Sequence, residues 1–464
     1  MARSLTSSPP DSAHPSRPHR PRFYYGWWIV LGAVVGQFAA MGVAGQVSGV
    51  FLRPMTDDLG WAAADYTLGT SSAFVAGGIA GFFIGPLVDR FGARPLMLSG
   101  GVMYGLALAG ISRVDEVWQF IALQTLAGGL GFAMVGPLVV NVTLSKWFVV
   151  RRGWAITIGS MGVSLAALIM PVAMTQVVDA EGWRTGYLVM GVLVWLLVIP
   201  VALLMRRTPE DYGLLPDGKR DDDEVTPLEL AQREATRRDF ANSYTRREAL
   251  RTPALWMLVI GFGLNMGAVS ALLVHAIPFA TDGGFTRAEA ASGFAAVGIA
   301  NFASKFVWGF GLQRFQVRRV AASAFLASAT GVMLLIVAVN VEVLPLLLGG
   351  FLVWGFGFGG TIPIGEFVWA RYFGRRYLGA VRSVGQPITI LLGSLGPISM
   401  ALFYDASGSY GPAFAGLAAS YLLGGTLIFI SREPQRPEPL VPVEVQPVPL
   451  EPAVAPDAAP AAGG

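Results

Sequence analysis

One lysine lies inside an apolar stretch in the second half of the chain, where residues 298–311 read GIANFASKFVWGFG. An ammonium near the centre of a bilayer costs about 2.5 to 3.5 kcal/mol on insertion scales, so it persists where a cavity, a counter-charge or a ligand receives it. Lys305 is therefore a candidate for binding an anion, and Asn301, one helical turn earlier, can add a donor from the same face. The alternative is that Lys305 snorkels toward the loop that begins near Gln313.

Other polar side chains interrupt the apolar runs, and each has a structural as well as a functional interpretation. Arg382 is either a second anion contact or a cap at a helix end. His275 either lines an entrance and responds to protons or lies at the interface. For Glu366 the spacing favours an ion pair with Arg382 or Arg371 over proton carriage. Five amides are more typical of interhelical hydrogen bonds than of a site: Gln37, Gln124, Asn141, Asn265 and Gln386.

The composition excludes soluble proteins and most enzymes. Of 464 residues, 53% are hydrophobic and 14% are charged, whereas a soluble domain has about a quarter of its residues charged. The chain has no cysteine and three histidines, so we expect no disulfide, no metal cluster and no cofactor. The net charge of +3 and the placement of basic residues in short loops argue against a nucleic-acid partner. The sequence shows no nucleophile or acid–base pair of the kind that would indicate an enzyme.

Twelve apolar runs of about 18 to 26 residues follow one another along the chain. Each is long enough to cross a hydrocarbon layer of about 30 Å as a helix. The sequence therefore predicts an all-α integral membrane protein with twelve transmembrane helices, in contact with the lipid bilayer. The runs lie near 24–48, 64–88, 95–112, 117–141, 154–178, 185–205, 253–277, 289–312, 320–340, 343–369, 380–403 and 412–431.

Charged and low-complexity segments divide the chain into five parts. Residues 1–22 are predicted to be a disordered cytoplasmic leader and residues 433–464 a disordered cytoplasmic tail. Two bundles of six helices, 23–205 and 252–432, flank a cytoplasmic linker at 206–251, in which a short helix is expected around residues 226–240.

The basic residues indicate the orientation. By our count, 27 of the 33 Lys and Arg lie in the leader, the even-numbered connections and the tail, which should be cytoplasmic. The opposite side has four: Arg53, Arg113, Arg184 and Arg287. We therefore expect both termini in the cytoplasm of a bacterial cell, with the chain in the inner (plasma) membrane.

The two halves repeat at an offset of 224 positions. Gly85 falls on Gly309, and the arginines that follow it also have counterparts. The same offset holds in three separate loops, which indicates duplicated six-helix halves in parallel orientation. Such halves place a substrate site near the midplane. At one position the copies differ, because Asp89 falls on Gln313.

Residues 85–94 read GPLVDRFGAR and resemble the signature loop of the major facilitator superfamily. Gly85, Asp89, Arg90, Gly92 and Arg94 carry this resemblance. A glycine permits a tight turn, and the carboxylate can accept hydrogen bonds from a helix N-terminus and from a guanidinium. The loop is therefore predicted to be a gating latch on the cytoplasmic side, and the glutamine in the second copy predicts an asymmetric latch.

Two further motifs resemble the monocarboxylate porter branch of that superfamily, which includes oxalate:formate exchangers. They are YYGWW at 24–28 and WFVVRRGWA at 147–155, and the resemblance covers about residues 23–432. It implies alternating-access transport of a small organic anion. The branch has an Asp and an Arg four residues apart in its eighth helix, which resemble Asn301 and Lys305, and a first-helix lysine that aligns approximately with Gln46.

The resemblance leaves the coupling open, because Asn301 cannot carry a proton. Proton symport, with protons as a coupling partner, and exchange of one anion for another are both compatible with the sequence. Two other functions are alternatives to anion transport. The aromatic content of 11% would suit an efflux carrier for lipophilic compounds, and the tails would suit a transporter-like sensor or interaction protein.

The predicted topology is tested with reporter fusions at positions 215 and 343. The charge distribution places these positions on opposite sides of the membrane, so a cytoplasmic reporter should be active at 215 alone. Activity of the same reporter at both positions would refute the twelve-helix topology.

Overall fold

A computed structural model describes residues 24–44, 47–218, 234, 240 and 243–434. All regular secondary structure in these residues is helical. The predicted leader, almost all of the predicted tail, Gln46 and most of the helix expected around 226–240 lie outside the described residues.

In the first half of the chain a series of helices is interrupted by one wide turn. The π-helical turn Thr125–Gly131 contains Gly128 and Gly129, at which a Cβ would lie 2.7 and 2.8 Å from alanine methyls of a neighbouring helix. The turn therefore lets two helices approach closely. The helices are α1 (Gly26–Ala44), α2 (Ser48–Leu59), α3 (Ala63–Phe91), α4 (Ala93–Ile111), α5 (Val117–Gln124), α6 (Phe132–Val135), α7 (Pro137–Trp147) and α8 (Arg152–Leu204).

The second half repeats this arrangement after a linker. Short 3₁₀ turns occur at Glu210–Tyr212, Pro216–Gly218 and Ser383–Gly385. The helices are α9 (Arg246–Ala249), α10 (Pro253–Asp282), α11 (Arg287–Arg314), α12 (Val317–Val341), α13 (Leu344–Gly359), α14 (Thr361–Phe373), α15 (Leu378–Arg382), α16 (Gln386–Ser407) and α17 (Gly411–Ile430).

Twelve membrane helices can be counted in the described residues. Ten helices are long and apolar enough to cross a membrane. One of these, the 53-residue α8, contains two helices because Gly182 has φ 81° and ψ 166° and breaks the helical geometry. α4 has 19 residues and is about 28 Å long at 1.5 Å per residue. With α8 counted as two and α4 added, the total is twelve, which confirms the predicted fold.

The helices form two compact units. The first comprises Met1–Ala80, Phe91–Asp223 and Phe302–Arg314. The second comprises Gly81–Arg90, Glu224–Asn301 and Phe315–Gly464. Each unit therefore includes one short segment from the other half of the chain: the end of α3 belongs to the second unit, and the end of α11 belongs to the first.

The packing of long helices repeats between the units. In the first unit α8 packs along α1 and α4, and in the second α10 packs along α16 while α12 packs along α17. These pairs occupy equivalent places in the two predicted repeats. In the core of the second unit, Trp354 Nε1 donates to the Tyr421 hydroxyl at 2.9 Å, and both side chains are buried.

Candidate functional site

Lys305 is buried in the first unit. It lies on α11 and is 1% exposed, as is its neighbour Ser304, while Asn301 one turn earlier is half-buried. Gly309, one turn later on the same face, allows close contact with α8, because a Cβ there would lie 3.0 Å from Thr157 Oγ1. The ammonium of Lys305 is therefore carried inside a packed helix bundle and does not reach the exposed surface.

The end of α11 runs antiparallel to the start of α8. A Cβ at Gly153 would lie 3.1 Å from Leu312 Cβ, and Thr157 faces Gly309. Moving four residues along α8, from Gly153 to Thr157, thus corresponds to moving three residues back along α11, from Leu312 to Gly309. Gln313 reinforces the contact when its amide is oriented to satisfy both partners: its nitrogen donates to the Val150 carbonyl at 2.9 Å, and its oxygen accepts from Gly153 N–H at 3.1 Å.

Asp89 makes the corresponding contact in the second unit. Its Oδ1 accepts from Gly379 N–H at 3.2 Å and its Oδ2 accepts from Ala380 N–H at 2.8 Å. Both amides belong to the first turn of α15, whose N-cap residue Tyr377 provides no side-chain hydrogen bond. The carboxylate of one helix therefore caps the N-terminus of another, which is the geometry that the loop sequence predicted for a latch.

Two glycines set the distance between these helices. A Cβ at Gly85 would overlap the Gly379 carbonyl oxygen and the Ser383 side chain, and a Cβ at Gly379 would overlap the Gly85 carbonyl oxygen. Any side chain at either position would push α3 away from α15. The glycines are therefore required for the Asp89 carboxylate to reach the amides that it caps.

The two arginines of the loop lie at the surface. Arg90 and Arg94 are exposed, and Gly92 joins α3 to α4 with φ 80°, a conformation that favours glycine. A Cβ at Gly92 would also lie 2.7 Å from Arg207 Cβ. Gly92 thus fixes the turn, while the two arginines remain accessible on the same loop.

Arg382 and Glu366 form an ion pair in the second unit. Arg382 Nη2 and Glu366 Oε1 lie 3.1 Å apart, with 18% and 8% of the side chains exposed, and the guanidinium lies 5.6 Å from the Trp369 ring centroid. Arg371 instead pairs with Glu433 at 3.3 Å. Of the two structural pairings that the sequence allowed for Glu366, the structure shows the one with Arg382.

His275 is held at both ring nitrogens. Nε2 lies 3.2 Å from the Pro397 carbonyl and Nδ1 lies 3.2 Å from the Tyr410 hydroxyl. A carbonyl can only accept, so Nε2 donates to Pro397, while the Tyr410 hydroxyl can donate to or accept from Nδ1. The ring therefore connects α10 to α16 and to the start of α17.

Four of the five amides form hydrogen bonds between helices. Gln37 Nε2 donates to Asn141 Oδ1 at 3.2 Å, Gln124 Nε2 donates to the Tyr187 hydroxyl at 3.4 Å, and the Thr361 hydroxyl donates to Asn265 Oδ1 at 3.4 Å. These contacts agree with the interhelical role expected from the sequence.

Two contacts of the linker were not predicted from the sequence. Asp217 accepts hydrogen bonds from the backbone N–H groups of residues 149, 150 and 151 at 2.9 to 3.0 Å, just before α8. The Arg246 guanidinium lies 3.5 Å from the centroid of the Phe82 ring, and burial lowers its pKa. The Pro-Asp-Gly turn at 216–218 was a signal for the first contact. No local pattern indicated the second.

The chain matches a known protein family over most of its length. The family model of the Major Facilitator Superfamily matches residues 32–393 and 276–459. An oxalate:formate antiporter of Oxalobacter formigenes is 25% identical over 285 residues, which cover 61% of this chain and 62% of the antiporter, less than two thirds of its length. Human monocarboxylate transporter 11 is 25% identical over 353 residues, which cover 74% of this chain and 69% of that protein.

Solved structures show the same fold. The proton:xylose symporter XylE, bound to 6-bromo-6-deoxy-D-glucose, has a TM-score of 0.69 at 14% identity. The match covers 87% of this chain and 95% of XylE. At this identity the likeness establishes the fold and does not extend to the substrate.

The capping contact is tested by hydrogen–deuterium exchange of the segment 374–385 in detergent. Asp89→Ala removes two charge-assisted hydrogen bonds, worth about 1.5 to 3 kcal/mol each, so exchange of this segment should accelerate at least tenfold. Asp211→Ala, which removes an exposed carboxylate of the linker, is the matched control. Unchanged exchange in Asp89→Ala would show that the carboxylate does not protect α15.

Proposed function

This chain belongs to the major facilitator superfamily, and we propose that it is a secondary transporter of a small organic anion, of which a monocarboxylate is the simplest case. It is an integral membrane transporter with a small-molecule substrate and not an enzyme. The observation that carries the anion proposal is Lys305, which is 1% exposed on a membrane-spanning helix.

The burial of Lys305 argues for a functional charge. A lysine inside a membrane bundle is costly, and intramembrane ionisable residues mark substrate or ion pathways far more often than they serve packing. Lysine supplies a point charge without the fixed fork of arginine, so it should accept carboxylates of varied geometry. The names of the two relatives, one for oxalate and formate and one for monocarboxylates, support a carboxylate as the anion.

Asn301 and Gln46 complete the proposed anion site. Asn301 offers an amide donor one turn from Lys305. Gln46 retains the role suggested by the resemblance, as a donor from the first helix. Arg382 and His275 are assigned to packing in this conformation, since each is already engaged by neighbours in the second unit.

We assign the alternating-access latch to Asp89 and to Gln313. The first caps α15 and the second contacts the start of α8, so helix ends from both halves of the chain are held by side chains that can release them. With both termini in the cytoplasm, these contacts lie on the cytoplasmic side. Opening that side would break the caps and let water satisfy the freed amides.

We propose exchange of one anion for another as the transport mode. Asn301 stands where the resemblance places a proton-carrying carboxylate, and an amide cannot ionise. The two other side chains considered for proton carriage, Glu366 and His275, are occupied by an ion pair and by two hydrogen bonds. Glu366 would have to leave its ion pair before it could take up a proton.

Lys305→Met tests the anion site, because it removes the charge and preserves the side-chain length. In proteoliposomes loaded with a carboxylate, the wild type should show counterflow of the labelled anion that is insensitive to an imposed pH gradient. Lys305→Met should lower the counterflow at least a hundredfold, and Lys305→Arg should retain it with altered selectivity.

Val307→Ala is the matched control, since this residue is 52% exposed on the same helix. Carboxylate counterflow that persists in Lys305→Met would remove the lysine from the site. Uptake that follows the pH gradient and stops with a protonophore would replace exchange by proton symport. Transport of lipophilic compounds with no carboxylate flux would favour the efflux alternative.

A further inference from the structure

Two fully buried amides in the first unit leave one donor and one acceptor without a partner. Gln37 on α1 donates from Nε2 to Asn141 Oδ1 on α7, and both side chains are 0% exposed. Gln37 Oε1 and Asn141 Nδ2 make no hydrogen bond. Rotating both amides exchanges these roles but again leaves one donor and one acceptor, so the result does not depend on the amide orientation.

Such atoms are unusual in a packed interior. A buried polar group without a partner bears the full cost of desolvation. Apolar side chains could join the same helices without this cost. Thr157 on the adjacent α8 adds a second buried oxygen that has no hydrogen-bond partner. These atoms are available to hydrogen-bond a polar ligand.

The amide pair lies at the depth of Lys305. The antiparallel contacts between α8 and α11, Gly153 with Leu312 and Thr157 with Gly309, place Lys305 at the level of residues 161–162 of α8. Two or three residues earlier on α8, a Cβ at Gly159 would lie 3.6 Å from Gln37 Nε2. At 1.5 Å per residue the two levels differ by about 3 to 4.5 Å, which is less than one helical turn.

We propose that the Gln37–Asn141 pair binds a hydroxyl group of the transported anion, so that the preferred substrates are hydroxylated carboxylates. This inference rests on the proposed function, in which Lys305 holds the carboxylate. A hydroxyl donates to one atom and accepts from another, which matches the two unpartnered atoms. An oxo group or a second ionised carboxylate only accepts, and a methyl group does neither.

Binding to the detergent-purified full chain tests the proposal, with matched carboxylates as probes. The probes are 2-hydroxypropanoate, 2-oxopropanoate and propanoate, together with 3-hydroxybutanoate and butanoate, which places the hydroxyl at two distances from the carboxylate. A site built to hydrogen-bond a hydroxyl discriminates strongly against the analogue that lacks it. In at least one series the hydroxylated acid should bind at least tenfold more tightly than its analogues. A ratio below tenfold in both series overturns the proposal.

The double variant Gln37→Met/Asn141→Leu assigns the preference to the amides. It replaces both partners by apolar side chains of similar size, so no unpaired polar group remains and the fold should be retained. In this variant the ratio of the affinity for the hydroxylated acid to that for its plain analogue should fall to about one. The affinity for propanoate or butanoate should stay within threefold of the wild-type value. Gln124→Met, which removes an amide already bonded to Tyr187, should leave the preference intact.

Two outcomes separate this inference from the function on which it rests. If the wild type binds hydroxylated and plain carboxylates equally, or if the double variant keeps the preference, the amides do not read a hydroxyl and anion transport still stands. If no carboxylate binds to the wild type, the proposed function fails.

Discussion

The cap that Asp89 places on α15 is the contact on which the arrangement at this end of the bundle depends. Its two oxygens receive two backbone N–H groups that α15 cannot satisfy for itself. Each of these charge-assisted hydrogen bonds contributes about 1.5 to 3 kcal/mol, whereas each of the two neutral hydrogen bonds of Gln313 contributes about 0.5 to 1.5 kcal/mol. On these values the two copies of the loop hold their helices with unequal strength, and the asymmetric latch stays a prediction.

We assign different roles to the buried charges in the two units. In the second unit Arg382 and Glu366 neutralise each other, and removing one partner of such a pair costs about 3 to 5 kcal/mol. The pair therefore locks α14 to α15 and has little freedom to exchange partners. In the first unit Lys305 is 1% exposed on α11. Its charge is the one that we assign to the transported anion.

The sequence predicts the helices well because the bilayer imposes their length and apolarity. Even the break between the fifth and sixth helices was expected, and Gly182 accounts for it. The loop at 85–94 was identified as a latch, but its partners were not, since Gly379 lies 290 positions from Asp89 and no local pattern links them. Likewise Gln37 and Asn141 were expected to bond between helices, while their pairing with each other depends on packing. Gln46 remains a prediction, because it lies outside the described residues.

The contact between α8 and the end of α11 must separate in each cycle if it belongs to the latch, and a disulfide across it tests this requirement. The chain has no cysteine, and the Cβ positions of residues 153 and 312 lie 3.1 Å apart, close to the separation of about 3.5 to 4.5 Å in disulfides. Oxidation of Gly153→Cys/Leu312→Cys in proteoliposomes should stop carboxylate counterflow, a reductant should restore it, and each single variant should be unaffected by oxidant. Full counterflow with the disulfide formed would contradict the latch.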